Sequence, residues 1–230
     1  MKIEIHPFND TYGRESITGE TTKLILGTFP AFQVTNKGTV RLDFYYGSTD
    51  NKFWDLFKES LSAKFELTVE SIRSYLSDNN FGIIDIVRKC YRKDNKSSAD
   101  EDLSIIELQD IVDILANSSI DTIYTTSKFV TKLLKQQIEP LLDRNHPTEK
   151  GKGKKKKKKK EIFTPETFES VEFVKVELPG SVFNKGRSLS IKTLYSPSDL
   201  AIRGIAKRIK KGPGIDPLAC RREQYRLLLT

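Results

Sequence analysis

Short apolar runs that end in Gly, Pro, Asp or Thr recur along the chain, and this pattern is typical of strands buried in a sheet. Residues 23–30 (KLILGTFP), 81–87 (FGIIDIV) and 122–126 (TIYTT) are continuous runs of this kind. Residues 171–178 (VEFVKVEL) alternate between apolar and polar positions, and residues 188–195 (SLSIKTLY) also have the character of a strand. The pattern therefore predicts five strands.

Apolar residues at helical spacing separate these strands. In residues 51–62 they recur at Phe53, Phe57 and Leu61. Residues 104–115 begin with Ser and carry Glu three residues later, which indicates a capped helix. Strands that alternate with helices predict an α/β fold, a three-layer sandwich around a mostly parallel central sheet. The other predicted helices are 68–78, 127–139, a basic helix at 198–211 and a short helix within 212–230.

The length of the chain suits one medium-sized domain, and we expect residues 1–230 to form it. Residues 143–165 change character and are predicted to be a flexible, lysine-rich insertion. The stretch 151–160 (GKGKKKKKKK) holds eight lysines, as many as the net charge of +8, so the rest of the chain is nearly neutral. A salt-sensitive attraction to phosphates and a solubilising loop are equally good explanations of this run.

The chain has few residues for metal or nucleophilic chemistry. Its two Cys, Cys90 and Cys220, and its two His, His6 and His146, are isolated, and we expect them in surface loops. This pattern argues against zinc, iron–sulfur clusters and catalysis by a Ser–His or Cys–His pair. The acidic stretch 100–104 (DEDLS) indicates an exposed helix start rather than a metal site. GxGxxG and Walker sequences do not occur, so no nucleotide cofactor is expected.

The hydrophobic pattern does not predict a membrane protein. No apolar run approaches the roughly 20 residues of a membrane-spanning helix, and the first residues lack the apolar stretch of a secretory signal. We therefore expect a cytoplasmic protein without a membrane partner.

Loops that follow parallel strands gather at the carboxyl edge of a sheet, where such folds bind ligands. In this chain they combine aromatic rings, an amide, hydroxyls and basic residues, a set that suits a nucleobase flipped out of a nucleic acid. Rings can stack on the base, the amide can hydrogen-bond to its edge, and hydroxyls and basic groups can meet phosphates. The candidates are Phe29, Tyr45, Tyr46, Asn51, Asp85, Arg88, Arg92, Thr126, Ser127, Ser196 and Ser198.

Four segments, in this order, resemble the uracil-DNA glycosylase superfamily. They are residues 24–32 (LILGTFPAF), 44–54 (FYYGSTDNKFW), 82–93 (GIIDIVRKCYRK) and 194–201 (LYSPSDLA). The resemblance covers residues 23–203 and is closest to the branch that contains hypoxanthine-DNA glycosylases and mismatch-specific uracil/thymine-DNA glycosylases. It implies a monofunctional, nucleoid-associated DNA glycosylase that hydrolyses the N-glycosidic bond of a deaminated or mismatched base without a metal or cofactor.

The resemblance also implies roles for individual residues. Gly27, Thr28 and Phe29 match the first motif of the family, the loop beneath the base and sugar. Many members carry Asn or Asp in that loop to direct a water, and this chain does not. Asn51 stands before the Phe-Trp pair, where hypoxanthine-type members carry an Asn, and is therefore the implied catalytic residue. Tyr46 matches the aromatic residue that stacks on the base.

A second motif and two loop ends complete the implied site. The Ser-Pro-Ser sequence at 196–198 matches the motif that pinches the DNA backbone from the minor-groove side. A leucine shortly after it could wedge into the duplex, and hydroxyls at the start of a helix could bind a phosphate. The residues assigned to the DNA backbone or to the wedge are Ser196, Pro197, Ser198, Leu200, Thr126 and Ser127.

Each of these assignments has a structural alternative. Asn51, Thr126 and Ser127 are also good N-caps for the helices that follow them. Leu200 could belong to a helix core, and Asp85 is also explained as a buried acid that a neighbouring N–H or Arg satisfies.

Two other functions also stay open. One is a catalytically silent nucleic-acid-binding relative with the same fold, which the altered first motif favours. The other is an unrelated α/β enzyme for small molecules, for which the scarce His, Cys and clustered acids are a poor set.

Overall fold

The computed structural model describes residues 2–94, 97–142, 173–178, 187–198 and 216–229. The strands in these residues are β1 (Glu4–Ile5), β2 (Lys23–Gly27), β3 (Phe81–Asp85), β4 (Val87–Arg92), β5 (Leu103–Leu108), β6 (Thr122–Thr125), β7 (Phe173–Leu178) and β8 (Arg187–Thr193). The helices are α1 (Phe32–Thr35), α2 (Phe53–Ser60), α3 (Val69–Asp78), α4 (Ile111–Ala116), α5 (Lys128–Leu142) and α6 (Pro217–Leu229).

Five of the strands form the main sheet, in the order β3-β2-β6-β8-β7. Neighbours among β3, β2, β6 and β8 run parallel, and β7 is antiparallel to β8. The register sets Gly27 opposite Asp85, and it sets Thr125 opposite Leu26 on one side and Thr193 on the other. The carboxyl ends of the four parallel strands therefore meet at one edge of the sheet.

Helices cover both faces of this sheet. α4 and α5 pack on one face, and α2, α3 and α6 pack on the other. The strands between them are rich in fully buried Ile and Leu, as parallel strands covered on both faces require. The predicted three-layer α/β sandwich with a mostly parallel central sheet is confirmed. The first face packs against Ile111, Leu115, Val130, Leu134 and Ile138, and the second against Phe53, Phe57, Ile72, Leu76 and Tyr225.

The predicted helix at 104–115 is wrong in its first half. Residues 103–108 form β5, which pairs with β4 in a three-stranded antiparallel sheet of the order β1-β4-β5. The helix starts only at Ile111, after Asp110 has capped it by accepting from the Asp113 N–H at 2.9 Å. Ile105 and Ile106 are β-branched residues that suit a pleated strand. Pairing with β4 therefore outweighs the local capping pattern.

Residues 81–87 are predicted as one strand, but the chain divides there between the two sheets. β3 ends at Asp85 and β4 begins at Val87. The backbone N–H groups of Ile86 and Val87 donate to the carbonyls of Gly27 and Thr28 at 2.8 and 3.0 Å. The division therefore fixes the loop after β2 beside the end of β3.

Residues 143–165, Leu200 and most of the predicted helix 198–211 lie outside the described residues. α6 confirms the short helix predicted within 212–230. In the ranges that the structure does describe, no helix is both long and apolar enough to cross a membrane. Those same ranges contain no group of three or more side chains placed to hold a metal ion.

Candidate functional site

The candidate site lies where the parallel strands end. Backbone hydrogen bonds continue the sheet for one more residue there: the Thr126 N–H donates to Leu26 at 3.1 Å, and the Leu194 N–H donates to Thr125 at 2.8 Å. Thr28, Ser127 and the 196–198 loop follow these ends directly. The loops that the sequence predicts to converge therefore do so.

Gly27 ends β2 at a place where no side chain fits. A Cβ on this residue would lie 2.1 Å from Asp85 Oδ1 and 2.3 Å from the Tyr46 hydroxyl. Both of these oxygens are buried, and neither makes a hydrogen bond of good geometry with a described residue, although the Thr126 side chain lies close enough to Tyr46 to lower its pKa by hydrogen bonding. Two buried polar atoms with unused hydrogen-bonding capacity thus lie against Gly27, which is uncommon in folded proteins.

Tyr46 reaches this position from a strained backbone. Its φ is 55°, in the left-handed region that ordinary residues seldom adopt. Its ring stacks on Phe53, with the ring centroids 4.2 Å apart and the planes 28° from parallel. Burial, and to a smaller extent the Asp85 carboxylate, hold the pKa of the Tyr46 hydroxyl well above its usual range. Tyr46 is therefore a neutral phenol whose hydroxyl can either donate or accept a hydrogen bond.

His6 holds the other oxygen of Asp85. Its Nε2 lies 2.9 Å from Asp85 Oδ2, and its Nδ1 accepts from the backbone N–H groups of Phe8 and Asn9, each at 3.1 Å. Because Nδ1 accepts, the ring proton belongs on Nε2, which donates it to the carboxylate. The prediction of a surface His6 is wrong: the residue is 4% exposed, because this pair draws it inside.

Asn9 fixes the backbone of Asp85. Its Nδ2 donates to the Asp85 carbonyl at 2.8 Å, and its Oδ1 accepts from the Asp85 N–H at 3.1 Å and from the Tyr45 hydroxyl at 2.8 Å. Asp85 is thus a buried acid with a neighbouring N–H partner, as its structural alternative predicts. That alternative accounts for Asp85 Oδ2, which is bonded to His6, but it does not account for Oδ1, which has no hydrogen-bond partner among the described residues.

Asp100 also reaches the site, although the sequence indicates an exposed helix start there. It begins a single 3₁₀ turn, Asp100–Asp102, and its Oδ2 accepts from the Ser127 hydroxyl at 3.0 Å. Burial raises the pKa of Asp100, while hydrogen bonding from Thr28 and Ser127 opposes this and the Glu101 and Asp85 carboxylates add to it. A second carboxylate therefore lies between the loops that follow β2 and β6.

Ser127 has the capping role that its structural alternative predicts. Besides its bond to Asp100, its hydroxyl accepts from the Val130 N–H at 3.3 Å at the start of α5. Thr126 is buried, and hydrogen bonding from its side chain lowers the pKa of the Tyr46 hydroxyl against the larger effect of burial. Both residues border the cleft, and Ser127 connects the helix start to the acidic group.

Asn51 is not the N-cap of α2, which its structural alternative predicts. Lys52 holds that position without a side-chain capping bond, and Asn51 Oδ1 instead accepts from the Phe53 N–H at 2.9 Å in a local turn before the helix. The Asn51 residue is half-buried. Its backbone forms an isolated antiparallel bridge with Ser198, and the next residue, Lys52, donates its N–H to the Pro197 carbonyl at 3.1 Å. Asn51 is therefore brought next to the Ser-Pro-Ser loop, with one end of its carboxamide already used.

The Ser-Pro-Ser loop is fastened from behind by α6. One guanidinium nitrogen of Arg221, Nη1, donates to the carbonyls of Ser196 and Ser198 at 3.4 and 3.1 Å, and Arg221 is 1% exposed. The two serine hydroxyls lie 3.2 Å apart. The backbone before the loop is held by Gln224, whose Oε1 accepts from the Tyr195 N–H at 2.6 Å. Nothing in the sequence pattern points to these α6 residues, because their partners are backbone groups.

Phe29 lines the loop after β2, and Arg92 supports it. The Phe29 ring meets the His6 ring edge-on at 5.4 Å, and the Arg92 guanidinium lies 5.5 Å from its centroid. Arg92 also donates to the carbonyls of Pro30 and Ser97, at 2.6 and 2.8 Å. Arg92 is therefore a buried brace for this loop and is not available to phosphates.

Arg88 has acidic partners as well. It donates to Asp10 at 2.8 Å and to Glu107 at 2.5 Å. Of the residues that the sequence suggests for phosphate binding, Arg88 and Arg92 are thus engaged in bonds within the protein.

Comparisons with known proteins agree with this architecture. No protein-family model matches the sequence, and no curated protein does. A solved structure does match: the solution NMR structure of a "putative Uracil DNA glycosylase" from Methanosarcina acetivorans, with a TM-score of 0.51 and 17% identity. The alignment covers 94% of this chain and 95% of that one. The fold is uracil-DNA glycosylase-like.

Within this glycosylase-like fold, the cleft combines three chemical elements. A fixed carboxylate and a neutral phenol have unmade hydrogen bonds at Gly27. A second, less buried carboxylate lies between Thr28 and Ser127. A hydroxyl-bearing loop is fixed by α6 at the end of β8. Such a set can hold a polar, planar ligand by its edge and can move a proton beside it.

Proposed function

We propose that this protein is a DNA glycosylase that hydrolyses the N-glycosidic bond of a deaminated or mismatched base flipped out of DNA. One observation carries the proposal. Asp85 Oδ1 and the Tyr46 hydroxyl lie unpaired against Gly27, at the ligand-binding edge of a glycosylase-like sheet. A base edge is the kind of ligand that supplies the missing bonds.

The chemistry of a deaminated base fits these two atoms. Uracil and hypoxanthine present a ring N–H next to a carbonyl oxygen. A carboxylate oxygen accepts from such an N–H, and a phenol donates to such a carbonyl. Asp85 and Tyr46 would therefore bind the edge of the base, and Phe29 lies in the adjoining loop as an apolar surface.

The remaining predicted residues take supporting roles in this proposal. Asn51 would act at the base or at the attacking water through its Nδ2, since its Oδ1 is used by Phe53. Ser196 and Ser198, held on the backbone by α6, would bind phosphates on one side of the flipped nucleotide. Thr126 and Ser127 would do so at the start of α5. The wedge role of Leu200 stays a prediction from sequence.

The experiment is a panel of duplexes that carry uracil, hypoxanthine, xanthine or a G·T mismatch, incubated with the protein and then treated with alkali. A glycosylase leaves an abasic site, so alkali cuts the strand at the damaged base. An undamaged duplex of the same sequence should stay intact. The proposal is abandoned if none of the modified duplexes is cut.

A variant pair tests Asn51 within this function. We expect Asn51→Ala to abolish strand scission and to cost about 1 kcal/mol of stability through the lost hydrogen bond from the Phe53 N–H. Asn79→Ala is the matched control, because Asn79 is exposed and bonds the backbone at the end of α3, just before the amino end of β3. Unchanged scission by Asn51→Ala would remove Asn51 from the mechanism and leave it a structural residue.

A catalytically silent DNA-binding protein is the second candidate function. The hydrogen bond from the Phe53 N–H to Asn51 Oδ1 favours it, because the implied catalytic amide is partly used for structure. Gel shifts of the panel duplexes without scission would support this candidate over the glycosylase.

A further inference from the structure

Two carboxylates reach the cleft, and their surroundings differ. Asp85 is 4% exposed, and its Oδ2 is tied to His6. Asp100 is half-buried, its Oδ2 accepts from Ser127, and Thr28 faces the same carboxylate. Asp85 is therefore a deep and fixed acceptor, whereas Asp100 keeps contact with solvent.

Hydrolysis of a glycosidic bond needs a group beside the sugar that takes a proton from water and offsets positive charge at C1′. The residues that the sequence implies for this step cannot do both. Thr28 is a neutral hydroxyl, and the Asn51 carboxamide neither carries a charge nor accepts a proton at neutral pH. Asp100 adjoins Thr28, so a carboxylate lies next to the first-motif loop although the loop itself has none.

We propose that Asp100 is the catalytic carboxylate of this site, which binds the attacking water and accepts its proton. The inference rests on the proposed glycosylase function. The water oxygen forms a bond to C1′ while the C1′–N bond breaks. The electron pair of that bond leaves with the base, and the proton of the water passes to Asp100. The base then takes a proton from solvent, and Asp100 returns its own proton to solvent.

The unmade hydrogen bonds at Gly27 support this assignment independently. They place hydrogen-bonding capacity against Gly27, and Gly27 immediately precedes Thr28, which faces Asp100. The charge of Asp100 also acts on the Tyr46 hydroxyl. A base bound by Asp85 and Tyr46 would therefore lie beside the loop that adjoins Asp100.

The groups around Asp100 suit a general base. Burial raises the pKa of Asp100, and the carboxylates of Glu101 in its own turn and Asp85 in β3 raise it further. The hydroxyls of Thr28 and Ser127 lower it, and the net direction is upward. A base whose pKa lies closer to the working pH takes up and returns a proton more readily.

The test uses the duplex that the wild type cleaves best. Asp100→Asn is nearly isosteric and keeps an acceptor for Ser127, so we expect unchanged duplex binding. The single-turnover rate should fall by a factor of at least about 100. Glu20→Gln is the matched control: it removes an exposed carboxylate just before the amino end of β2, at the opposite end of the sheet, and should keep the wild-type rate. The wild-type rate should also fall as the pH is lowered through the raised pKa of Asp100, and Asp100→Asn should lose that dependence.

Each outcome decides a different question. Cleavage by Asp100→Asn at the wild-type rate overturns the role of Asp100 and leaves the proposed function standing. A wild-type rate that stays flat on the acidic side does the same, and it requires no variant to fold. A wild type that cuts no duplex of the panel overturns the glycosylase itself, and this inference with it.

Discussion

The cleft has two sides that use their polar groups differently. We define the Asn51 side as Asn51 and the 196–198 loop. Its polar groups take part in hydrogen bonds with the protein backbone or with Arg221. Asn51 Oδ1 accepts from the Phe53 N–H at the start of α2, and Arg221 donates to the carbonyls of Ser196 and Ser198. These bonds fix the shape of the loop and the start of the helix.

The acidic side, which we define as Asp85 and Asp100, leaves part of its capacity unused. Asp85 Oδ1 and its neighbour, the Tyr46 hydroxyl, have no partner within the described ranges. Each unmade bond of a buried group costs about 1–3 kcal/mol. Both sides lie within or beside the sequence motifs, and they differ in how much of their hydrogen-bonding capacity the fold itself uses.

Removal of the Arg221 guanidinium should cause the greatest loss of stability among the changes proposed for the Asn51 side and the acidic side. Arg221→Met keeps an apolar chain of similar length but leaves the carbonyls of Ser196 and Ser198 without this donor. We expect a loss of about 2–4 kcal/mol in the free energy of unfolding, measured by urea denaturation, and weaker duplex binding in gel shifts.

Arg222→Met on the same helix is the control for this change. The Arg222 side chain is 56% exposed and pairs with Glu59 at 3.3 Å on the surface. Loss of such a pair should cost at most about 1 kcal/mol. Equal losses for the two variants would contradict the fastening role of Arg221.

On the acidic side, removal of the Tyr46 hydroxyl should change stability by a smaller amount. Tyr46→Phe removes a buried hydroxyl that makes no hydrogen bond of good geometry in the described structure, with only the Thr126 side chain close to it, so we expect the folded state to gain about 1 kcal/mol. Scission should fall at the same time, because the base edge loses a donor. Denaturation curves and single-turnover rates on the same samples measure both.

The adjacent tyrosine provides the opposite expectation. The Tyr45 hydroxyl donates to Asn9 Oδ1 at 2.8 Å, so Tyr45→Phe should destabilise the protein by about 1 kcal/mol. Two neighbouring Tyr→Phe changes are thus expected to have opposite signs. A loss of stability in both variants would show that the Tyr46 hydroxyl has a partner after all.

The smallest effect is a pH dependence of stability at Asp100. Burial raises the pKa of this carboxyl in the folded state, so the wild type loses stability as the pH rises through that pKa. Asp100→Asn cannot ionise and avoids the loss. Urea denaturation should find the variant more stable at neutral pH, with a gap that closes as the pH falls toward the ordinary value of 3.8. A gap that is constant with pH would point to packing instead of ionisation.

Local patterns were sufficient for the framework of this fold. The apolar runs that become β2, β3 and β6 owe their burial to their own composition, and the loops after them had to meet once the strands were parallel. The sequence predicts a helix at β5 because its Ser and Glu suit a helix start. Its pairing with β4 depends on tertiary structure, which the local pattern does not contain.

Long-range partners account for what the sequence did not reveal in the site. His6 is 79 residues from Asp85, and a lone His carries no signal of such a pair. Arg221 bonds to carbonyl groups, which every residue possesses, so no pattern of side chains announces it. Asp100 sits among other acids, and only the fold distinguishes it from Glu101, which stays exposed.

The placement of α6 has a consequence for the order in which the protein is made. α6 follows every strand of the main sheet in the chain, so a ribosome releases Ser196–Ser198 before Arg221, Gln224 and Tyr225. Domains generally fold as units, and α6 also contributes Tyr225 to the core of its layer. The packing of this layer and the fixed shape of the Ser-Pro-Ser loop are therefore completed together, when α6 emerges.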